Sequence, residues 1–451
     1  TFVGTLVVDH LYPEWKIWTQ FITNDLSNAM NLDSLRSSHP IDVDVKRAAD
    51  IKSIFDHVSY YKGASVIRML NSFLGNEVFR KGVVSYLKAN QFSNATTKDL
   101  WDALSKESGK DVSNFMKTWI KDVGFPVVRV IKESYNESKE ELTLTLTQER
   151  YLSSNDLSID ERNNGSLWWI PIGILTHDNV NKPITKILSE KQGEITIPYK
   201  KSDNQWWKLN YNTTGLYRVD LNELQIKHIG KIINDNPTLL NVEDRVGIIN
   251  DTFELAKSGY VPLSNYLDLL NNFNKEDEYI VLSGIASALS SIKNAWYRQP
   301  KEVIDGINKL QLNIFAPIAH KYGFEYKSTD DHLTTFKRTL ALSVAASSKD
   351  SKVVEEFITR FNKYVNNNDE SILNPNIRGI AYKTILRNID DDIKSRETFD
   401  KILNIFKTAS TPDGKLTALG SLGAVKNHKV VEYALKEIAL NTDIIRPQDG
   451  M

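Results

Sequence analysis

The chain has 451 residues and a formal net charge of −1, with 41% hydrophobic and 25% charged residues. That length exceeds a single core and predicts two to four domains. The near-neutral balance argues against a nucleic-acid partner, because phosphate neutralisation needs a basic surface. With no cysteine, disulfides, thiolate metal sites and cysteine nucleophiles are excluded.

The opening apolar run, Phe2 to Val8, is too short for a membrane span and lacks a basic flank. It reads as a buried helix whose beginning lies further upstream, and Thr1 reads as an internal start. To about Asp122 the pattern is helical. Pro13-Glu14-Trp15 is expected to open a helix whose residues Trp15, Trp18, Phe21, Ile22 and Leu26 share a face. Val66, Met69, Leu70 and Phe73 repeat that spacing, with Gly75 placed to end the helix. Thr96 and Asp99 fit a capping box before Leu100-Trp101, and Gly109 reads as the stop. Gly124-Phe125-Pro126 closes the region, since Pro disfavours a helical Phe125.

From Pro126 to about Leu221 the period becomes two. Strands are expected at Val127–Val130, Leu142–Leu146, Trp168–Ile172, Ile195–Ile197 and Trp206–Asn210, with loops at 136–140 and 153–165. Several short strands in some ninety residues predict a β-sandwich, and Pro171 predicts an edge or bulge. After Leu221 amphipathic segments return, such as Asp244–Lys257, Tyr279–Ile292 and Val353–Tyr364, broken at Asn366–Asn368 and Asp390–Asp392. Successive helix pairs without a strict repeat predict a stacked α-solenoid. The fold class is thus α+β and multidomain.

Chemistry is sparse. No two of the eight histidines stand at i, i+4, so no H-E-x-x-H helix presents a metal site. P-loop, dinucleotide and nucleophile-elbow motifs are also absent from the sequence. Sequons at Asn94, Asn136, Asn164, Asn212 and Asn250 are expected by chance in an asparagine-rich chain. The most distinctive string is Phe55-Asp56-His57-Val58-Ser59-Tyr60-Tyr61-Lys62-Gly63-Ala64-Ser65. Ser59 is a candidate N-cap that would put Tyr60 in a first helical turn, its phenol aimed into a cleft. On residues alone, packing is the better reading of both tyrosines, since aromatics mostly serve as buried surface.

That string resembles the Ser-Tyr-x-Lys-Gly-Ala segment of M1-type (gluzincin) zinc aminopeptidases. Further strings match in order: Tyr12-Pro13-Glu14-Trp15-Lys16-Ile17-Trp18, Asp33-Ser34-Leu35-Arg36-Ser37-Ser38-His39-Pro40-Ile41, Thr118-Trp119 through Gly124-Phe125-Pro126-Val127, Gly215-Leu216-Tyr217-Arg218-Val219, Asp244-Arg245 with Ile249-Asn250-Asp251, and Asn374-Pro375 with Ile377-Arg378. The resemblance implies three parts. Residues 1–124 correspond to the second half of a thermolysin-like catalytic domain, 125–212 to a β-sandwich, and 213–451 to a HEAT-like helical C-terminal domain.

It also implies that Tyr60 is the transition-state tyrosine, donating a hydrogen bond to the oxyanion formed when a zinc-activated water attacks a peptide carbonyl. Tyr61 falls on a variable position. The family's zinc ligands, general-base glutamate and Gly-Ala-Met-Glu-Asn amine site are absent from the sequence. They are expected upstream of Thr1, with more helix expected after Arg446-Pro447-Gln448-Asp449-Gly450-Met451. The chain alone is therefore expected to hold no zinc and to be inactive. The intact protein is expected to be a cytoplasmic, monomeric zinc aminopeptidase acting on peptides, with no nucleic-acid partner and no membrane segment in this chain. The alternative is a non-catalytic solenoid that binds peptide or protein.

Overall fold

In the computed structural model, residues 1–180, 182–202, 205–367, 369–446 and 449 are described. Asn368, one of the expected helix breaks, and the terminal residues Pro447, Gln448, Gly450 and Met451 lie outside them.

Helix α1 spans Phe2–Leu11. Only Phe2 is buried, and Val3, Leu6, Val7 and Leu11 are exposed. The expected helix is present, but its expected burial is not. Pro13–Trp15 forms one 3-10 turn that stops at Lys16, which adopts a left-handed conformation (φ 47°). The helix expected from Pro13 therefore starts later, as α2, Ile17–Phe21, and runs through a π segment, Ile22–Leu26, into α3, Ser27–Asp33. A second π segment, Val58–Lys62, leads without a break into α4, Gly63–Leu74. Helices α5 (Asn76–Ala89), α6 (Thr97–Ser108) and α7 (Val112–Lys121) follow. The capping box of α6 forms as expected: the Thr96 N–H donates to Asp99 at 2.6 Å, and Gly109 ends the helix at φ 67°.

Strands β1 (Pro126–Asn136) and β2 (Glu141–Arg150) pair antiparallel. The loop expected next contains a short helix, α8, Ile159–Asn164, opened by a capping box between Ser158 and Glu161. Then come β3 (Ile170–Thr176), β4 (Ile184–Leu188), β5 (Gln192–Pro198), β6 (Trp207–Leu209) and β7 (Arg218–Asp220). They form a four-stranded sheet, β5-β2-β1-β7, and a three-stranded sheet, β4-β3-β6. The β1–β7 pairing is parallel. Pro171 lies where β3 has only β4 beside it, so the missing N–H interrupts no ladder on the other side. Trp168 falls outside the strand. Its backbone N–H and carbonyl are both bonded to the buried Gln148 amide of β2, at 2.8 and 2.9 Å.

The remaining described residues carry only helices. They are α9 (Glu223–Asp235), α10 (Val242–Lys257), α11 (Leu263–Leu270), α12 (Tyr279–Ala295), α13 (Lys301–Tyr322), α14 (His332–Ser347), α15 (Ser351–Asn367), α16 (Pro375–Arg387), α17 (Asp392–Thr408), α18 (Pro412–Leu422) and α19 (His428–Tyr433). The chain divides into two compact units, Thr1–Ile285 and Ala286–Met451. In the second, α13 packs on α14, α15 on α16 and α17 on α18, while α16 also touches α14 and α18.

Within the first unit the turn before β7 is a polar junction. Asn210, Asn212 and Thr213 all have positive φ. The Arg68 guanidinium of α4 holds the carbonyls of Thr213 and Asn212 at 2.7 and 3.0 Å. Asp244 of α10 accepts from the Asn212 N–H at 2.8 Å and from the buried Lys208 ammonium at 2.6 Å. Asp251 accepts from Arg218 and from the Val219 N–H, both at 3.1 Å. Burial lowers the Arg68 pKa to about 10, against the pull of Glu243 and Asp244, so the group stays charged at neutral pH. The polar residues in these recurrent strings are thus consumed by buried pairs that need one another.

A glycine in α10 completes this junction. A Cβ on Gly247 would lie 2.1 Å from Thr213 Oγ1, and that hydroxyl is committed to the Glu243 carbonyl at 2.7 Å. Gly247→Ala would gain roughly 1 kcal/mol of helix propensity. Overpacking typically costs about 1–3 kcal/mol, and the held threonine puts this site toward the high end. Gly247→Ala is expected to destabilise the first unit, read as a lower urea midpoint at unchanged m-value. A raised midpoint would contradict the packing described.

Candidate active site

Tyr60 stands in the π segment ahead of α4 and is 50% exposed. Its hydroxyl makes no hydrogen bond among the described residues, and its ring meets Phe55 at 6.1 Å. The phenol is therefore an open donor rather than a core group. Its neighbour Tyr61 stacks on His57 at 4.9 Å.

The expected N-cap, Ser59, lies inside the π segment. The capping side chain is instead Asp56, whose Oδ1 accepts from the Val58 and Ser59 N–H groups at 2.9 and 3.0 Å. Its carbonyl accepts from the Tyr60 N–H at 3.1 Å. A carboxylate outcompetes a hydroxyl here because it is charged and takes two N–H groups on one oxygen. The other oxygen, Oδ2, contacts His39 Nε2 at 2.8 Å, while His39 Nδ1 lies 2.8 Å from the Pro40 carbonyl.

On the other side of Tyr60, the Lys62 ammonium is wholly buried. It donates to the Gly124 and Asp122 carbonyls at 3.0 and 3.3 Å and pairs with Asp33 at 2.9 Å. The ammonium thus hydrogen-bonds two carbonyls and is balanced by the Asp33 charge. Asp33 Oδ1 also accepts from Ser38 Oγ at 2.7 Å and from the Gly124 N–H at 3.0 Å. Burial pulls the Lys62 pKa down, and Asp33 opposes it. Gly124 has φ +88°, and a Cβ there would meet Arg150 Nε at 2.5 Å. The Asp33, Lys62 and Gly124 strings, 91 residues apart at their extremes, therefore close on one another behind Tyr60.

Sequence reasoning singled out Tyr60 and missed Asp33, His39, Asp56 and Lys62 as its supports. The available signal was Asp56 three residues before Ser59, the spacing of an acidic cap. Burial works against charge on both members of the His39–Asp56 pair. The Pro40 carbonyl and Asp56 outweigh it for His39, raising its pKa above 6.5. The Ser59 N–H and His39 outweigh it for Asp56, lowering its pKa below 3.8.

Raised His39 contributes stability that is full below the unfolded pKa and lost as pH rises through the folded one. Lowered Asp56 contributes stability present above the unfolded pKa and lost as pH falls through the folded one. The Tm difference between wild type and His39→Ala is therefore expected to be largest at about pH 5–6 and to shrink toward pH 9. A difference that grows toward pH 9 would contradict the pairing.

Among the described residues, no group of three or more His, Cys, Asp or Glu is placed to hold a metal ion. No helix among the described residues is long and apolar enough to cross a membrane.

Residues 1–119 match the Peptidase family M1 domain, and residues 206–451 match the ERAP1-like C-terminal domain. Aminopeptidase 2, mitochondrial, of Saccharomyces cerevisiae is 35% identical over all of this chain and 45% of its own length. Alanine/arginine aminopeptidase of the same yeast is 34% identical over 97% of this chain and 49% of its own. Aminopeptidase M1-D of Oryza sativa subsp. japonica is 34% identical over all of this chain and 50% of its own. The chain belongs to the M1 aminopeptidase family. It spans about half the length of the curated relatives it matches.

Proposed function

We propose that the intact protein removes N-terminal residues from peptides, and that Tyr60 supplies the hydrogen bond that stabilises the oxyanion of that reaction. The observation that carries this is the exposed phenol, whose hydroxyl has no hydrogen-bond partner among the described residues, on a turn fixed from both sides. When an amide carbonyl is attacked, charge gathers on its oxygen. A preorganised neutral donor lowers that barrier more than it lowers the energy of bound substrate. The zinc implied by the family finds no ligand set among the described residues, so the role assigned here is the phenol's alone.

In this reading residues 1–124 are catalytic-domain sequence, 125–212 a β-sandwich, and 213–451 a HEAT-like solenoid. The paired helices α13–α18 support the last assignment. The protein acts as a monomer in the cytoplasm. The test is the intact protein with a matched pair of peptides, one with a free amine and one N-acetylated. Stepwise release from the free-amine peptide only is expected. Equal cleavage of both, or of neither, would overturn the proposal.

A further inference from the structure

One short segment, Asp33 to Pro40, grips the Tyr60 turn on both sides. Asp33 holds Lys62, two residues after the tyrosine. His39 holds Asp56, four residues before it. Tyr60 has no side-chain hydrogen bond of its own among the described residues, so its phenol is aimed through its backbone and through packing such as its contact with Phe55. The backbone at that point is set by the Asp56 cap.

Both ring nitrogens of His39 face acceptors. Nδ1 meets the Pro40 carbonyl and Nε2 meets a carboxylate already engaged by two N–H groups. A neutral imidazole can donate from one nitrogen only, so this geometry requires the imidazolium. We propose that His39, as an imidazolium, is a positioning residue for Tyr60: it fixes the Asp56 carboxylate that caps the turn and so fixes the direction of the phenol. The charged groups facing His39 are Asp56, on the turn itself, and Asp33, at the end of α3, and both favour the cation.

This inference rests on Tyr60 being the oxyanion donor, and its test separates the two claims. In the intact protein, kcat and KM toward an aminoacyl anilide are measured for wild type, His39→Ala, Tyr60→Phe and the double variant. His39→Ala is expected to lower kcat about tenfold, since small misplacements of a catalytic group are costly, with KM nearly unchanged. His39→Gln, which keeps one donor toward Asp56, should recover part of the loss. In the Tyr60→Phe background His39→Ala should cost nothing more.

An equal loss in both backgrounds, or an unchanged kcat in His39→Ala, would overturn the positioning role. If Tyr60→Phe alone retains wild-type kcat, it is the oxyanion reading that falls. Amide exchange then still reads the clamp: Val58 and Ser59 N–H should lose protection in His39→Ala, and unchanged protection sinks it. Should His39→Ala not fold, the same cycle and exchange are run with His39→Gln, with smaller losses expected in the same direction and no loss again overturning the role.

Discussion

Tyr60→Phe in the intact protein is expected to lower kcat by about a hundredfold to a thousandfold, the usual effect of deleting one oxyanion donor. The substitution removes a single oxygen. That oxygen bonds to nothing else among the described residues, and the ring is half exposed. The Tm should therefore move little. KM should also move little, because the bond is made mainly in the transition state. Steady-state kinetics and a melting curve on one preparation check all three. A kcat within about twofold of wild type would remove the phenol from the chemistry.

The second large effect is on stability. Asp33→Ala is expected to destabilise the first unit by about 3–5 kcal/mol, the range for breaking a buried ion pair from one side. The cause is what remains: the Lys62 ammonium, at 0% exposure, would keep two carbonyls but lose its counter-charge. The Gly124 N–H and the Ser38 hydroxyl would lose their acceptor too. Lys62→Met should be costly for the mirror-image reason, leaving the buried Asp33 carboxylate without the ammonium paired to it. The double variant Asp33→Ala, Lys62→Met should cost clearly less than the two singles added together, because neither charge is then stranded. Urea unfolding of the three variants checks this. Strict additivity would mean that the two groups do not interact as described.

These effects show which parts of the molecule could be read from the chain. Helix and strand type were legible where a local signal stood beside a strong apolar pattern, as in the Thr96 box and the Val127–Val130 run. Short elements held from a distance were not. Strand β7 is three residues long and exists because it lies beside β1. Helix α8 did carry a local signal, Ser158 and Glu161 at capping-box spacing, inside a polar stretch that reads as loop. The helix expected from Pro13 begins only at Ile17, because Lys16 takes a left-handed turn that no residue type there announces.

The candidate site divides in the same way. Tyr60 was legible through its string, but the physics that holds it was not. A lysine at a helix start reads as a solvated charge, and only the fold reveals that Lys62 is buried against Asp33 and Gly124. Ser59 was the expected cap, yet Asp56 caps the turn, one oxygen taking two N–H groups while the other contacts His39.

The most direct measurement is a crystal structure of the intact protein with a peptide analogue whose tetrahedral oxygen mimics the oxyanion. Tyr60 Oη is expected at about 2.7–3.1 Å from that oxygen, with the His39–Asp56 contact retained. An analogue bound with the phenol turned away and another donor on the oxygen would contradict it.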